Sequence, residues 1–272
     1  MRKSVNGCDI AYRTKGEGPL LVLLHGWGAN GDLFAGIESY ASSGYTVVSP
    51  DLPGFGKSTE PEEAYDLDDY VNFVRDFTCL LLREQGASAA GNKVLFLGHS
   101  HGGRTLIRML SRMAKGEEMG FDVPKAILVD SAGIVKEKSE EQKKRARRYK
   151  TYKSLLTKTG IAKLAPGTID ALQRKFGSAD YAAASPVMRR SMVKVVNTDL
   201  REEMSSIKIP VLLIWGENDT DTPLDDGKQM EQLMPEAGLA VIKGAGHYSF
   251  LENPVLFNRI LGSFLQIGSS TN

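Results

Sequence analysis

Short apolar runs alternate with longer helical patterns along most of this 272-residue chain, and this alternation constrains the fold more than any other feature. Six runs have the length and the Val, Leu and Ile content of buried strands: Leu20–Leu24, Tyr45–Ser49, Lys93–Leu97, Ala126–Val129, Val211–Trp215 and Leu239–Ile242. Four stretches have helical spacing or open with proline at a first-turn position: Leu67–Arg83, Arg104–Met113, Pro223–Met234 and Pro254–Leu265. The alternation predicts an α/β fold, with helices on both faces of a mostly parallel sheet. An antiparallel hairpin is expected at the start, where Ile10 and Tyr12 precede Gly16 and Gly18.

The alternation is interrupted once, between Ile134 and Ser206. No strand-like run occurs there, and seventeen lysines and arginines stand against eight aspartates and glutamates. The segment therefore carries a net charge of +9 in a chain whose total is +1. We expect a core domain, residues 1–133 and 207–272, and a helical insertion, residues 134–206. Two interpretations of the charge stay open: a solvated helix face, or attraction of an anionic substrate or surface.

Composition and charge exclude several classes of partner. A net charge of +1 gives no reason to expect binding to nucleic acid. The longest apolar run, Leu20–Leu24, is far too short to span a membrane, and no apolar stretch follows the basic start as in a secretion signal. Cys8 and Cys79 lie in apolar patterns, so we expect buried free thiols and a reducing, cytoplasmic location. The sequence leaves open whether the protein is a monomer or a homodimer.

The pattern Gly98-His99-Ser100-His101-Gly102 fits G-x-S-x-G, the nucleophile elbow. It directly follows one apolar run and directly precedes a helical stretch, which is the strand–turn–helix setting that the elbow requires. Side chains at either glycine would collide with neighbouring backbone in so tight a turn, and the turn would hold the serine hydroxyl clear of the sheet. Ser100 is therefore the candidate nucleophile; the alternative is a simple helix N-cap.

A serine hydroxyl needs an adjacent base to act as a nucleophile at neutral pH. Of the four histidines, His247 lies on a loop after the last strand-like run, which places it at the carboxyl edge of the sheet with Ser100. His99 and His101 are too close to Ser100 along the elbow to turn back onto its hydroxyl. His247 is therefore the candidate base, against the alternative of a surface histidine without a role.

The base in turn needs a carboxylate that fixes its tautomer. Asp219 follows the run that ends at Trp215, again at the carboxyl edge of the sheet. Asp221, two residues on, and Asp130, which ends an earlier run, are its alternatives. With Asp219 the catalytic order is serine, aspartate, histidine along the chain.

An acyl-transfer site also needs N–H donors for the developing oxyanion. The glycine-rich loop around Trp27 follows the first apolar run, so the backbone N–H groups of Trp27 and His101 are the expected pair. His25 is expected to support this loop by hydrogen bonds rather than to perform chemistry. Trp27 and Phe34 are the core residues considered as part of the acyl pocket, although both could equally be plain core.

Five motifs, in order along the chain, resemble the signature motifs of the α/β-hydrolase superfamily: Leu24-His25-Gly26-Trp27-Gly28, Pro50-Asp51-Leu52-Pro53-Gly54-Phe55-Gly56-Lys57-Ser58, Gly98-His99-Ser100-His101-Gly102-Gly103, Trp215-Gly216-Glu217-Asn218-Asp219 and Gly246-His247. The resemblance implies an eight-stranded doubly wound sheet, a helical cap inserted after strand six, and no metal or organic cofactor. One departure is His101, where relatives more often carry an apolar residue or Gln.

Serine at position 100 argues against the dehalogenase and epoxide-hydrolase branches, which use a carboxylate nucleophile. The elbow also lacks the Gly-Gly-Ser-Trp-Gly form of proline iminopeptidases. The resemblance thus implies a serine hydrolase that cleaves a small-molecule ester, thioester or related acyl bond. Two alternatives stay open: a carbon–carbon bond hydrolase, cofactor-free perhydrolase, lyase or acyltransferase with the same triad, or a non-catalytic ligand-binding homologue.

Overall fold

The computed structural model describes residues 1–86, 92–136, 140–159, 165, 167–168 and 179–268. Its eight strands are β1 (Arg2–Val5), β2 (Cys8–Lys15), β3 (Leu20–Leu24), β4 (Thr46–Pro50), β5 (Val94–His99), β6 (Ala126–Val129), β7 (Val211–Gly216) and β8 (Ala237–Ile242). They form one sheet in the order β1-β2-β4-β3-β5-β6-β7-β8. The two pairs that involve β2 are antiparallel and all other pairs are parallel. The predicted mostly parallel sheet is therefore confirmed.

The described helices are α1 (Ala35–Ala41), α2 (Leu67–Glu84), α3 (His101–Ala114), α4 (Glu140–Lys158), α5 (Ala179–Ala183), α6 (Pro186–Val196), α7 (Arg201–Met204), α8 (Leu224–Leu233), α9 (Ser249–Glu252) and α10 (Pro254–Leu265). A short 3-10 helix, Gly31–Phe34, precedes α1. The sequence predicted α2, α3, α8 and α10, with ends that differ from the structure by up to three residues.

Strand β3 shows why the sheet has a core on each face. All five of its side chains are buried, and successive side chains point to opposite faces. Leu20, Val22 and Leu24 pack in a cluster with residues of α2 and α3. Leu21 and Leu23 pack in a second cluster with residues of α1 and α10. An uninterrupted apolar run is thus what a strand between two helical layers requires.

Helix α2 follows directly from its sequence. Asp66 accepts hydrogen bonds from the backbone N–H groups of Asp68 and Asp69, and the Asp69 side chain accepts one from the backbone N–H of Asp66. This capping box satisfies N–H groups that the first turn would otherwise leave unpaired. The apolar positions predicted from helical spacing are buried on one face: Leu67, Tyr70, Val71, Val74, Phe77, Thr78 and Leu81.

Two local expectations were wrong in detail. The N-terminal hairpin is present, but its turn is Asn6-Gly7, with φ of 50° and 79°, rather than the later glycines. Asn-Gly suits a two-residue hairpin because both residues tolerate positive φ. Cys8 and Cys79 are both free thiols, but only Cys8 is buried. Cys79 is half-buried, and its thiol donates to the carbonyl of Met119.

Between β6 and β7 the described residues form helices α4 to α7 and no strand, while residues 137–139, 160–164, 166 and 169–178 of the expected insertion lie outside the description. The later part contacts the core: Lys194 of α6 donates to the carbonyl of Ala64 at 2.6 Å. The Leu200 N–H donates to the carbonyl of Gly133 at 2.9 Å. No helix in the described part of the chain is long and apolar enough to span a membrane.

Candidate active site

Ser100 lies in the sharp turn between β5 and α3. Its φ is +51°, a left-handed value that costs a non-glycine residue conformational energy. The Ser100 N–H donates to the carbonyl of Val129 at 3.1 Å, and its own carbonyl accepts from Ala132 at 3.0 Å. These bonds to the end of the neighbouring strand β6 hold the turn. The strained serine is thus fixed at the carboxyl edge of the sheet.

The two glycines of the turn are required by close backbone approach. A Cβ at Gly98 would lie 2.6 Å from the carbonyl of Gly102, and a Cβ at Gly102 would lie 2.0 Å from the carbonyl oxygen of Leu24. No side chain of any kind fits at such distances. The predicted collision of a side chain at either glycine with neighbouring backbone is therefore confirmed.

Asp219 and His247 meet at the same edge, although they are 28 residues apart. Asp219 lies on the loop after β7 and His247 on the loop after β8, and Nδ1 of His247 is 2.8 Å from Oδ2 of Asp219. Oδ2 also accepts from the Thr222 hydroxyl at 2.7 Å. Oδ1 accepts from the backbone N–H groups of Asp221 and Thr222 at 2.8 and 3.0 Å. Every lone-pair direction of this carboxylate thus has a donor.

The pair perturbs the pKa of both partners. Burial by itself would raise the pKa of Asp219, but the hydrogen bonds from His247 and Thr222 outweigh it and leave the pKa below its ordinary value. Burial likewise opposes protonation of His247, yet the Asp219 carboxylate raises the pKa of its imidazole above the ordinary value. The arrangement favours an Asp219 anion that stabilises an imidazolium at His247.

The two alternative carboxylates have other partners. Asp221 is exposed; its backbone N–H donates to Asp219, and its carboxylate acts on His247 only through space. Asp130 is fully buried and accepts from the Gly216 N–H at 2.7 Å and from the Ser249 hydroxyl at 2.6 Å. Burial raises the pKa of Asp130 to about 7. Asp130 therefore ties the ends of β6 and β7 to the start of α9.

His99 faces the loop that carries His247. Its Nε2 lies 2.8 Å from the main-chain carbonyl oxygen of His247, and the two rings are 4.8 Å apart. Burial and the nearby His247 lower the pKa of His99 to about 3, so its ring is neutral. Nε2 must then carry the proton and donate it to the carbonyl. The sequence indicated neither contact: the bond from His99 to His247 joins loops that are distant in sequence, and the only signal for Thr222 is its place three residues after Asp219.

The loop after β3 packs against the elbow. A Cβ at Gly26 would lie 3.2 Å from the Cβ of Ser100. His25 is buried and holds this loop: its Nε2 accepts from the Leu52 N–H at 2.9 Å, and its Nδ1 lies 2.7 Å from the Gly26 carbonyl. The expected supporting role of His25 corresponds to these two bonds. The half-buried Trp27 ring meets the ring of Phe55 edge to face at 4.8 Å.

His101 is the first residue of α3, and the helix has no side-chain cap on its N-terminal N–H groups. The imidazole is 4 % exposed and lies edge to face with Trp27 and Tyr70, at ring distances of 5.4 and 4.7 Å. Neither ring nitrogen has a hydrogen-bond partner among the residues that the structure describes. Burial lowers the pKa of His101 well below its ordinary value. The backbone N–H groups of Trp27 and His101 stay the predicted oxyanion donors.

Phe34 does not line this site. Its side chain is completely buried in the second core cluster, where its ring lies 5.6 Å from that of Phe250. A fully enclosed ring cannot contact a substrate, so of the two possibilities that the sequence left open for Phe34, acyl pocket or plain core, the structure shows plain core. Among the described residues there is also no group of three or more His, Cys, Asp or Glu side chains that could hold a metal ion.

Comparison with known proteins gives a consistent family. The model of the "Alpha/beta hydrolase family" matches residues 21–260. A pimeloyl-[acyl-carrier protein] methyl ester esterase of Aliivibrio fischeri is 29% identical over 94% of this chain and 97% of its own. A non-heme chloroperoxidase of Kitasatospora aureofaciens is 26% identical over 89% of this chain and 90% of its own. In fold the chain is similar to the enol-lactonase of Burkholderia xenovorans, with a TM-score of 0.71 and 22% identity over 98% and 100% of the two chains.

Proposed function

The chain belongs to the α/β-hydrolase family, and we propose that it is a serine hydrolase that cleaves a small-molecule ester, thioester or related acyl bond. The observation that carries the proposal is the 2.8 Å contact between His247 and Asp219 at the sheet edge where Ser100 occupies its strained turn. Nucleophile, base and orienting acid come from three separate loops. No structural need of the fold explains why a hydrogen-bonded histidine–aspartate pair should lie at the sheet edge where a serine occupies this strained turn.

In the proposed reaction Ser100 attacks the acyl carbon while His247 takes the hydroxyl proton at Nε2. The resulting imidazolium is stabilised by the Asp219 carboxylate, which keeps the proton on Nδ1. The bond from Ser100 to the acyl carbon forms, and the electron pair of the carbonyl moves to its oxygen. Collapse of this intermediate expels the leaving group, which receives the proton from His247. The product of this half-reaction is an acyl ester of Ser100.

Water completes the cycle. His247 removes a proton from a water molecule, whose oxygen attacks the acyl carbon of the Ser100 ester. The second intermediate expels the Ser100 oxygen, which takes the proton back from His247, and the free acid leaves. In both halves the oxyanion would accept hydrogen bonds from the backbone N–H groups of Trp27 and His101. The N-terminal end of α3 adds a favourable electrostatic contribution there.

The relatives guide the substrate class. The Aliivibrio fischeri relative is named as an esterase of a pimeloyl methyl ester, which fits hydrolysis of an acyl ester by this chain. We further propose that residues 134–206 form a cap over the site, because α6 contacts Ala64 and Arg104 of the core. We propose a cytoplasmic enzyme on the basis of its two free thiols.

Labelling with a fluorophosphonate probe tests the proposal. An activated serine attacks the phosphorus and expels fluoride, whereas an ordinary serine hydroxyl reacts far more slowly. We expect a single adduct on Ser100, located by mass spectrometry, and its loss in Ser100→Ala. Ser43→Ala is the matched control, because Ser43 is exposed and remote from the triad and should leave labelling unchanged.

The same samples should hydrolyse 4-nitrophenyl esters with release of nitrophenolate, and Ser100→Ala should lose this activity. A correctly folded wild-type chain that neither reacts with the probe nor hydrolyses any ester would contradict the proposal. It would favour a non-catalytic ligand-binding protein instead.

The chloroperoxidase relative supports a second candidate, perhydrolysis on the same triad. Hydrogen peroxide in place of water would attack the acyl ester of Ser100, release a peracid and restore the hydroxyl; the peracid then oxidises a halide. Halide oxidation in acetate and peroxide, faster than ester hydrolysis and lost in Ser100→Ala, would establish this reaction. Halide oxidation that persists in Ser100→Ala would exclude it.

A further inference from the structure

Three arginines lie on one face of α3, each one turn apart: Arg104, Arg108 and Arg112. Arg108 makes two hydrogen bonds to the Asp68 carboxylate, at 2.9 and 2.7 Å, and also pairs with Glu203. Arg112 pairs with Asp68 at 3.1 Å and with Glu117 at 2.6 Å. The two arginines farther from the nucleophile thus have their charge fully matched by carboxylates.

Arg104, the arginine closest to Ser100, has no such partner. Its Nη1 donates to the main-chain carbonyl of Val195 at 2.9 Å, its Nε is buried without a partner, and it forms no ion pair with a carboxylate in the part of the chain that the structure describes. Asp199 acts on it only through space, because that carboxylate is bonded to Arg201 and to the Val135 N–H. Arg104 is nevertheless only 7 % exposed.

A buried guanidinium without a counter-ion is unfavourable, so its position calls for an explanation. Burial lowers the pKa of Arg104 to about 10, which still leaves the group charged at neutral pH. One turn towards the nucleophile, His101 adds a second unmatched group. Its neutral ring carries one N–H donor, and both nitrogens are buried without a partner between Trp27 and Tyr70.

We propose that His101 and Arg104 form a subsite for a carboxylate at the far end of the acyl chain of the substrate. The inference rests on the proposed function of Ser100 and names its substrate class: monoesters or thioesters of short dicarboxylic acids. The Arg104 guanidinium supplies the charge, and the His101 N–H supplies a neutral donor. A guanidinium matches the planar, two-oxygen geometry of a carboxylate, and the histidine N–H can donate one further hydrogen bond to it.

The position of the subsite limits the length of the chain. Arg104 begins one helical turn after Ser100, and its N–H donates to the Ser100 carbonyl. Four residues of helix rise by about 6 Å, so the backbones of Ser100 and Arg104 lie close together, and we propose a short acyl chain. The net charge of +9 on residues 134–206 would attract the same anions over a longer range.

A matched pair of substrates tests the subsite. Mono-4-nitrophenyl adipate and 4-nitrophenyl hexanoate have acyl chains of the same length and differ in the terminal carboxylate. We expect wild-type protein to prefer the adipate by at least tenfold in kcat/KM. Arg104→Met should reduce this preference at least tenfold, mainly through KM, and His101→Met should reduce it by a smaller factor.

Arg190→Met is the matched control. Arg190 lies exposed on α6, so its loss removes one positive charge from the expected cap without touching the subsite. The preference should survive in this variant and also at 0.5 M salt, since a buried charge pair is screened weakly. Two outcomes would overturn the subsite: an equal loss of the preference for the adipate in Arg190→Met and Arg104→Met, or the disappearance of that preference in 0.5 M salt. Either would mean that the preference arises from general surface electrostatics.

The remaining outcomes separate the subsite from the proposed function. Hydrolysis of both esters without a preference that depends on Arg104 overturns the subsite and leaves the hydrolase intact. If neither ester is hydrolysed, calorimetry with adipate decides: binding that is lost in Arg104→Met supports the subsite, and no binding to folded wild type overturns it. Where Arg104→Met does not fold, Arg104→Lys and His101→Met give the same readout, with a preference below that of wild type expected in each.

Discussion

Nε2 of His99 lies 2.8 Å from the main-chain carbonyl oxygen of His247, so the residue before Ser100 holds the loop that carries His247. The contact joins the end of β5 to the segment after β8, 148 residues later. Glu252 fixes the same loop from its other side, where its carboxylate accepts from the Gly246 N–H at 2.8 Å. The position of His247 thus depends on side chains that take no part in the chemistry.

We predict that His99→Phe lowers kcat by about ten- to a hundredfold and changes KM little. An aromatic ring is kept but the donor is lost, so His247 is free to leave its productive position. His99→Gln, whose amide nitrogen can replace Nε2 as the donor, should recover most of the rate. Steady-state kinetics of both variants check this expectation. A purely structural role would predict equal losses in Phe and Gln variants, in proportion to their lost stability.

Asp219→Asn should reduce kcat by about a thousand- to ten-thousandfold, because an amide cannot stabilise the imidazolium of His247 or fix its tautomer. The pH profile gives a second readout. In the proposed mechanism activity requires neutral His247 and should therefore fall as the pH falls through its pKa, which Asp219 raises. Loss of the carboxylate lowers that pKa, so the acid limb of kcat/KM should move to lower pH.

The stability of Asp219→Asn should carry the same signature. A histidine whose pKa is raised on folding contributes stability that is fully present below its ordinary value, near 6.5, and is lost as the pH rises through the raised value. The difference in unfolding free energy between wild type and variant should therefore be larger at pH 5.5 than at pH 8.5. Asp221→Asn is the control, with a change in kcat of less than about threefold. A similar loss of kcat in Asp219→Asn and Asp221→Asn would contradict the assignment of Asp219 as the carboxylate that orients His247.

The elbow glycines predict a large change in stability from one added methyl group. Gly98→Ala places a Cβ 2.6 Å from the Gly102 carbonyl, where only backbone movement relieves the overlap. We expect a loss of about 3 kcal/mol or more in urea unfolding, together with loss of activity. Gly36→Ala is the control, since Gly36 is exposed in α1 and a Cβ there meets nothing within 4 Å. The free energy of unfolding of Gly36→Ala should be higher than that of wild type by about 0.5–1 kcal/mol. A mild effect of Gly98→Ala would mean that the elbow is looser than described.

How far the sequence predicts this molecule depends on whether a feature is local. The buried strands, the elbow and the capped helix α2 follow from short patterns, because each is decided by residues that are neighbours in the chain. Asp219 and His247 could be selected because parallel strands bring their carboxyl ends to one edge. The short helix α1 and the strand β1 have too few apolar positions for a periodicity to indicate them.

Contacts between distant loops were not predictable. The Thr222 hydroxyl shares Oδ2 of Asp219 with His247, and the only sequence signal is its place three residues after the aspartate. The sequence offers Asp130 as an alternative to Asp219. A carboxylate at the end of a strand has the same sequence pattern whether it accepts from a histidine or from backbone N–H groups. Its bonds to Gly216 and Ser249 become visible only once the strands are paired. The pairing of the strands thus decides which of these side chains lie close enough to bond.

His101 gives a prediction in which stability and specificity oppose each other. His101→Met replaces two buried nitrogens without partners by an adaptable apolar side chain of similar volume. Leaving a buried polar atom unpaired costs about 1–3 kcal/mol, so the variant should be more stable than wild type by about 1 kcal/mol at pH 7.5. Urea unfolding measures this gain.

The gain should grow as the pH falls. Burial holds the pKa of His101 far below its ordinary value, so below about pH 6.5 the unfolded chain takes up a proton that the folded chain does not. Wild type therefore loses stability as the pH falls through that range, and His101→Met is spared this loss. The difference between the two proteins should thus be larger at pH 5 than at pH 7.5.

His25 provides the contrast that makes the result interpretable. It is equally buried, and burial lowers its pKa to about 4, but its two nitrogens bond to the Leu52 N–H and the Gly26 carbonyl. His25→Met should therefore destabilise the protein at pH 7.5, because it leaves those backbone groups unpaired. Like His101→Met, it should also reduce the loss of stability that occurs as the pH falls. If His101→Met is also destabilising at pH 7.5, its nitrogens are satisfied in the free protein, and the reason to assign them to a substrate carboxylate disappears.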